Sequence, residues 1–345
     1  MTTAVVLYNL GGPDKTEAIR PFLFNLFNDP MILGIPQPFR WLLAQLISRR
    51  RASTAGKIYA HLGGSSPLLK NTLDQADALE VVLNSGSNET YKCFVAMRYW
   101  HPFCLETLDE VLGFQPDQIV LLPLYPQFSV TTVGSMMRVW EQAAKTRGLK
   151  IPVTALCCYP TDPGFVSAVA SFVSNAVATL PAGEKFRVLF SAHGLPKKIV
   201  AGGDPYQWQV EQTTKAVVAA LDQDFDWINC YQSRVGPLEW IGPATEDEIR
   251  LAGAEGISLV VVPIAFVSEH SETLVELDIE YREIADHAGV RTYLRTPTVG
   301  VNPMFIEGLA KLVRDSAAAG CDLCSGTGER VCTLDWSQCP MKIEA

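Results

Sequence analysis

The sequence predicts an α/β protein built from two parallel sheets, each covered by helices on both faces. Three observations predict it. Short runs rich in β-branched and apolar residues alternate with longer helix-like segments along the 345 residues, as they do where strands are buried on both faces. Eight such runs occur, four in each half of the chain. The halves also echo each other: VLYNLGGP at 6–13 resembles VLFSAHGLP at 188–196, and IVLLPLYPQFS at 119–129 resembles LVVVPIAFVSE at 259–269. A duplicated α/β unit is the natural reading, with two unrelated sheets as the alternative.

In chain order, the first four strands are expected at AVVLYN (4–9), CFVAMRY (93–99), QIVLLPLYP (118–126) and VTALCCYP (153–160). The second four are expected at FRVLFSAHG (186–194), WINCYQS (227–233), GISLVVVPIAF (256–266) and RTYLRTP (291–297). The first two strands start at 4 and 93 in one half but at 186 and 227 in the other, which exposes an insertion at about 17–66. It holds FLFNLFNDPMILGIP and PFRWLLAQLISRRR, an apolar, helix-like stretch closed by Arg49, Arg50 and Arg51. Two readings fit it: a helical hairpin packed on its own domain, or an apolar lip that touches a hydrophobic ligand or a membrane surface. The expected domains are 1–155, with that insertion, 156–299, and a helix with a cysteine-rich tail over 300–345.

Composition narrows the function. At 48% hydrophobic residues the chain can bury two cores, and its formal net charge of −9 leaves no broad cationic face for nucleic acid. Met1-Thr2-Thr3 runs straight into an apolar strand without a secretory pattern, and charged or turn residues break every long apolar stretch. A cytoplasmic protein with at most peripheral membrane contact is expected. Nothing in the composition opposes self-association into a homo-oligomer. No GxGxxG follows the first strand and no GxxxxGK[ST] occurs, so nucleotide cofactors have no support; Gly326 and Gly328 read as a turn.

In open parallel sheets ligands bind beyond the carboxyl ends of the strands. The residues there are polar and specific: Asn9 before GGP, Arg98 and Tyr99 before WHP, Tyr125 before PQFS, His193 before GLP, Gln232 and Ser233, and Phe266 before VSEHSET. If the halves face each other, these loops line one cleft. His193 in its neutral form can accept a proton near neutral pH. Glu272, Glu276 and Glu280 recur every four residues, which predicts one acidic helix face, either solvated or bordering the cleft, with Leu274, Leu277, Tyr281 and Ile284 on the apolar side.

Nine segments, in order, resemble the ferrochelatase family: NLGGP (9–13), LGGSSPL (62–68), MRYWHP (97–102), LPLYPQFS (122–129), FSAHGLP (190–196), GDPY (203–206), YQSRVGPLEWIGP (231–243), VPIAFVSEHSETLVELDIEY (262–281) and GVNPMF (300–305). The resemblance runs from about residue 4 to 314. It implies a chelatase fold of two Rossmann-like domains, each with a four-stranded parallel sheet and a porphyrin cleft between them. It also implies insertion of ferrous iron, as substrate, into protoporphyrin IX to give protohaem. The catalytic pair of the family falls on His193 and Glu272, and its acidic metal path on Glu276 and Glu280. Its porphyrin-contacting positions fall on Arg98, Tyr99, Trp240 and Phe266, with Tyr125, Ser129 and Leu10 in the matching loops. Vertebrate members carry methionine at the position of Leu10. Alternatives are a coproporphyrin III, cobalt or nickel chelatase of the same fold, and, in a different class, a non-catalytic haem-binding protein.

The tail CDLCSGTGERVCTLDWSQC holds Cys321, Cys324, Cys332 and Cys339 in a polar setting where core burial explains them poorly. Their spacing suits either tetrahedral zinc or a [2Fe–2S] cluster, with no bound metal as the third alternative. The resemblance points to the cluster. Eukaryotic members take one cluster ligand in the QFS-containing segment, where this chain has Val130; Cys157 or Cys158 is the alternative fourth ligand.

Overall fold

A computed structural model describes residues 1–342. The described residues divide into two compact units: one of residues 1–158, 309–331 and 340–342, the other of residues 159–308 and 332–339.

The first unit opens with β1 (Thr2–Asn9), and a short 3₁₀ turn leads into α1 (Ile19–Phe27), α2 (Phe39–Ala60) and α3 (Leu68–Asn84). There follow β2 (Thr90–Met97), α4 (Cys104–Phe114), β3 (Gln118–Pro123), α5 (Val133–Arg147) and β4 (Val153–Leu156). β1 lies centrally, with Val6 level with Phe94 on one side and Leu121 on the other. That position explains why its sequence is a continuous apolar run rather than an alternating one: Ala4 to Tyr8 are all buried.

The second unit runs α6 (Pro163–Ala178), β5 (Phe186–His193), α7 (Lys197–Ala201), α8 (Tyr206–Leu221), β6 (Asp226–Gln232), α9 (Thr245–Glu255) and β7 (Ser258–Pro263). A π-helix (Glu272–Glu280), α10 (Tyr281–Ala288) and β8 (Tyr293–Arg295) complete it, and α11 (Pro303–Ala318) follows. Its sheet has the order β6-β5-β7-β8, all parallel. α6 starts where Asp162 accepts a hydrogen bond from the Phe165 amide at 2.8 Å, with Pro163 in the first turn. α9 and α10 meet at Gly253, where any Cβ would stand 2.3 Å from the Ala288 carbonyl oxygen.

All eight expected strands form, and the α/β class holds. The first sheet, however, has five strands rather than four, in the order β2-β1-β3-β4-β9. The added β9 (Leu323–Cys324) comes from the tail. The exposed polar edge of β4 explains it, since Ala155 and Cys157 donate to the carbonyls of Asp322 and Cys324 at 2.9 and 2.8 Å. No apolar run marks so short a strand. The insertion forms two helices, of which α1 buries Ile19, Phe22 and Leu23 in a cluster with Tyr59 and Tyr99. α2 does not stop at its arginines, because no breaker follows them, and continues to Ala60.

Candidate active site

In the second unit, β5 ends at His193 and β6 at Gln232, so the two residues lie level at the carboxyl ends of neighbouring parallel strands. His193 Nδ1 lies 2.8 Å from Glu272 Oε2. A carboxylate only accepts, so Nδ1 carries the proton and a neutral imidazole offers Nε2 as its basic nitrogen. Ser233, held in the left-handed region at φ 60°, follows Gln232 and gathers the acidic side chains. Its amide donates to Glu276 Oε1 at 2.8 Å, and its hydroxyl to Glu276 Oε2 at 2.5 Å and Glu272 Oε2 at 3.3 Å. Gln232 Nε2 donates to Glu276 Oε2 at 2.9 Å and to the Glu272 carbonyl at 3.0 Å. Tyr281 Oη adds a bond to Glu276 Oε1 at 3.1 Å.

The electrostatics follow from this packing. Burial by itself lowers the affinity of His193 for a proton, but the Glu272 charge and hydrogen bond, with Glu276 behind, outweigh it and raise the pKa above 6.5. Burial works to raise Glu272, yet the charge and hydrogen bond of His193 hold that carboxyl well below its ordinary range. Burial and then the Glu272 charge raise Glu276 against the Ser233 and Gln232 hydrogen bonds. The result is an imidazole of increased basicity beside a firmly ionised carboxylate, with a second carboxyl that holds its proton more readily.

The expected row of three glutamates is only partly realised. The segment is a π-helix, in which N–H groups reach five residues back, as the Tyr281 amide does to the Glu276 carbonyl. Residues four apart still lie near one face of such a helix, as Glu272 and Glu276 do at Ser233, but the row ends there. Glu272 and Glu276 face His193 and Ser233, whereas Glu280 is exposed and takes no part in these bonds.

His270 was not singled out from sequence. Its ring lies 4.7 Å from that of Phe266, and burial, against the charges of Glu272 and Glu269, lowers its pKa and keeps it neutral. Its one sequence signal is its place two residues before Glu272. Trp240 is half-buried, and its backbone bridges to Pro196.

In the first unit, β2 ends one residue before Arg98, whose Nη2 donates to Asp29 Oδ2 at 2.7 Å and whose Nε donates to Ser135 Oγ at 2.7 Å. Tyr99 Oη and Ser135 Oγ donate to the same Asp29 oxygen at 2.7 and 2.5 Å. Tyr99 is fully buried. Asp29 and Ser135 were not foreseen, because neither belongs to a local pattern and only the chain path unites them. Gly11, in the turn after β1, has φ +85°, and a Cβ there would stand 3.1 Å from the Trp100 amide. Half-buried Leu10 packs beside it in the α1 cluster. Tyr125 packs against the sheet core, and buried Ser129 shares a hydrogen bond with Thr131 at 2.9 Å.

The tail cysteines depart from expectation. Cys324, Cys332 and Cys339 are buried despite their polar neighbours, and Cys321 is half-buried. β9 carries Cys324 against the first sheet, beside Ser316 Oγ at 3.3 Å, and Gln209 of α8 donates to Cys332 Sγ at 3.1 Å. Cys321 and Cys324 belong to the first unit, Cys332 and Cys339 to the second.

Two parallel α/β sheets, one with a histidine–carboxylate pair at a strand end, give the chain the fold of chelatases of known structure. Solved structures that share the fold include SirB from Bacillus subtilis with Fe3+, at a TM-score of 0.56 and 13% identity, covering 92% of this chain and 96% of that one. The sirohydrochlorin chelatase SirB from Bacillus subtilis subspecies spizizenii in complex with cobalt gives 0.52 at 12% identity, with the same coverage. Within that class, the ferrochelatase family model matches residues 2–317. The chain is 52% identical over 340 residues to the ferrochelatase of Caulobacter vibrioides, covering 98% of this chain and 97% of that one. It is 51% identical to that of Pelagibacter ubique, covering 91% of each. The chain belongs to the ferrochelatase family.

Proposed function

We propose that the protein inserts ferrous iron into protoporphyrin IX, with His193 as the proton acceptor and Glu272 as the group that orients and charges it. The 2.8 Å contact between His193 Nδ1 and Glu272 carries this reading. Metallation must strip two protons from pyrrole nitrogens and turn their lone pairs toward iron. Neutral His193 takes a proton at Nε2, and the ionised Glu272 stabilises the imidazolium. Ser233, bonded to both carboxyls, ties the pair to Glu276, whose raised pKa suits it to hold the proton next. Phe266 and Trp240 give the apolar periphery a grip through which binding energy can hold the ring bent. Glu280, Arg98, Tyr125, Ser129 and Leu10 complete the proposed metal-handling and substrate-binding set. Buried Tyr99 serves by bracing Arg98, whose guanidinium lies 4.6 Å from its ring. Anaerobic assay with ferrous iron and either protoporphyrin IX or coproporphyrin III tests the reading. Haem from protoporphyrin is expected; a strong preference for coproporphyrin, metallation only by cobalt or nickel, or stoichiometric haem binding without turnover would each overturn it.

The insertion is proposed to serve as a lip that rests on the cytoplasmic face of a membrane. On α2, Phe39, Trp41, Leu42 and Leu46 are exposed, at 68, 45, 57 and 45%. Exposed Arg49, Arg50 and Arg51 follow within the same helix. Apolar groups beside cations suit an interface with anionic lipid, and no helix of the described residues is long and apolar enough to cross a membrane. Sedimentation with anionic vesicles is expected for the native chain and is expected to fall at least about tenfold for Trp41→Ser/Leu42→Ser, at about 0.8 kcal/mol per buried methylene. Equal sedimentation of both proteins would refute the lip.

The tail thiols are proposed to take a [2Fe–2S] cluster as a structural cofactor. Four cysteines supply the soft donors such a cluster requires, and the Gln209 hydrogen bond to Cys332 is of the kind that tunes cluster sulfurs. Among the described residues no group of three or more His, Cys, Asp or Glu is placed to hold a metal ion. Cys321, Cys324, Cys332 and Cys339 are the proposed ligands. Cys157 or Cys158 is the substitute for one of them, since strand pairing sets Cys157 beside Cys324. Protein prepared without air is expected to be red-brown, with about two irons and two acid-labile sulfides per chain. Colourless protein with stoichiometric zinc would exclude the cluster.

A further inference from the structure

The π-helix is pulled from two sides within nine residues. Its first half must present Glu272 and Glu276 to His193 and Ser233. Its second half is fastened to β8, where Tyr293 Oη donates to the Leu277 carbonyl at 2.8 Å. Arg295 makes the firmest tie: Nε and Nη2 grip Asp278 Oδ1 and Oδ2 at 2.8 and 2.5 Å. The same guanidinium donates through Nη1 to Glu269 Oε1 at 2.6 Å and to the Thr296 carbonyl at 3.2 Å. Glu269 in turn accepts from the Thr298 amide at 3.0 Å. Arg295 is 10% exposed, and its two carboxylate partners are 25 and 29% exposed. Glu269 and Asp278 lie nine residues apart and bracket His270, Glu272 and Glu276 between them.

We infer that Arg295 is a positioning residue for iron insertion: by clamping both flanks of this segment it holds the π register that sets Glu272 and Glu276 against His193. A guanidinium is suited to the task because its planar fork serves one carboxylate bidentately and still has donors for a second, which a lysine ammonium cannot match in fixed geometry. An unbroken α-helix of the same residues turns more tightly. With Asp278 and the Leu277 carbonyl tied to β8, it would swing Glu272 and Glu276 off their partners. The clamp therefore acts through the two glutamates and touches neither porphyrin nor iron.

The inference rests on the proposed role of His193 and Glu272, and its test separates the two. Arg295→Gln, Arg295→Lys and Asp278→Asn are compared with the native chain and with Glu272→Gln. For Arg295→Gln, kcat is expected to fall about 10- to 100-fold, as misplacement by about an ångström does, while the porphyrin KM stays within about threefold. Arg295→Lys should fall between it and the native protein. Amide hydrogen exchange over residues 272–281, which does not depend on activity, should quicken at least about tenfold in both Arg295 variants with the rest of the second unit unchanged. If Arg295→Gln does not fold, Arg295→Lys and Asp278→Asn carry the same comparison. Native kcat with unchanged exchange over 272–281 overturns the clamp. Full turnover by Glu272→Gln overturns the site reading instead, with the exchange result still deciding whether Arg295 holds the register.

Discussion

Replacing His193 with alanine is expected to slow iron insertion by about 10²–10⁴-fold, the range a positioned proton acceptor contributes, while porphyrin quenching of the protein's fluorescence remains. The imidazole stands at the end of β5, and removing it leaves the strand's core untouched. The native pH profile carries a signature of the same pair. Only neutral His193 accepts a proton, and its pKa is raised, so the rate should rise with pH along an acid limb whose apparent pKa lies above 6.5. In Glu272→Gln the charge that raises this pKa is gone. The limb should then move to lower pH even as the maximal rate drops, and the two groups are best treated as one coupled titration. Near-native turnover by His193→Ala, or a limb that fails to move in Glu272→Gln, would remove His193 from the proposed chemistry.

Asp29→Ala is expected to cost about 3–5 kcal/mol of stability in the first unit, as removal of one partner from a buried ion pair does. Asp29 is 1% exposed and Arg98 16% at the side chain, and a single Asp29 oxygen accepts from Arg98, Tyr99 and Ser135. Alanine leaves three buried donors without that acceptor. Burial, with the Asp29 charge adding to it, already pushes the Tyr99 phenol far above its ordinary pKa, so the ring cannot ionise to compensate. Asp29→Asn keeps an acceptor oxygen of nearly the same shape and should cost less. Urea unfolding of the variants, followed separately by probes in each unit because two units need not unfold together, gives the values. A loss below about 1 kcal/mol in Asp29→Ala, less than one unsatisfied buried donor costs, would show that the network is replaced by water.

Much of this architecture is legible in the amino-acid order. The eight main strands, the insertion and the strand-end positions of His193, Arg98 and Gln232 all follow from local apolar runs and the turn residues that end them. Buried parallel strands announce themselves because each needs apolar side chains on both faces. The pairing of His193 with Glu272 was also within reach, since each lies in a recognisable motif.

What tertiary structure alone decided has a different origin. The regular spacing of Glu272, Glu276 and Glu280 reads as an α-helical face, but Arg295 and Tyr293 on β8 grip Asp278 and Leu277 while Ser233 and His193 grip Glu276 and Glu272. The helix adopts the π register and leaves Glu280 outside. Asp29 reaches Arg98 across 69 residues and Ser135 across 106, and β9 exists because β4 offers a free edge to a polar tail. Periodicity records which side of an element is buried. Backbone register, edge pairing and the company of a buried charge depend on residues distant in sequence, and those are set only when the chain has packed.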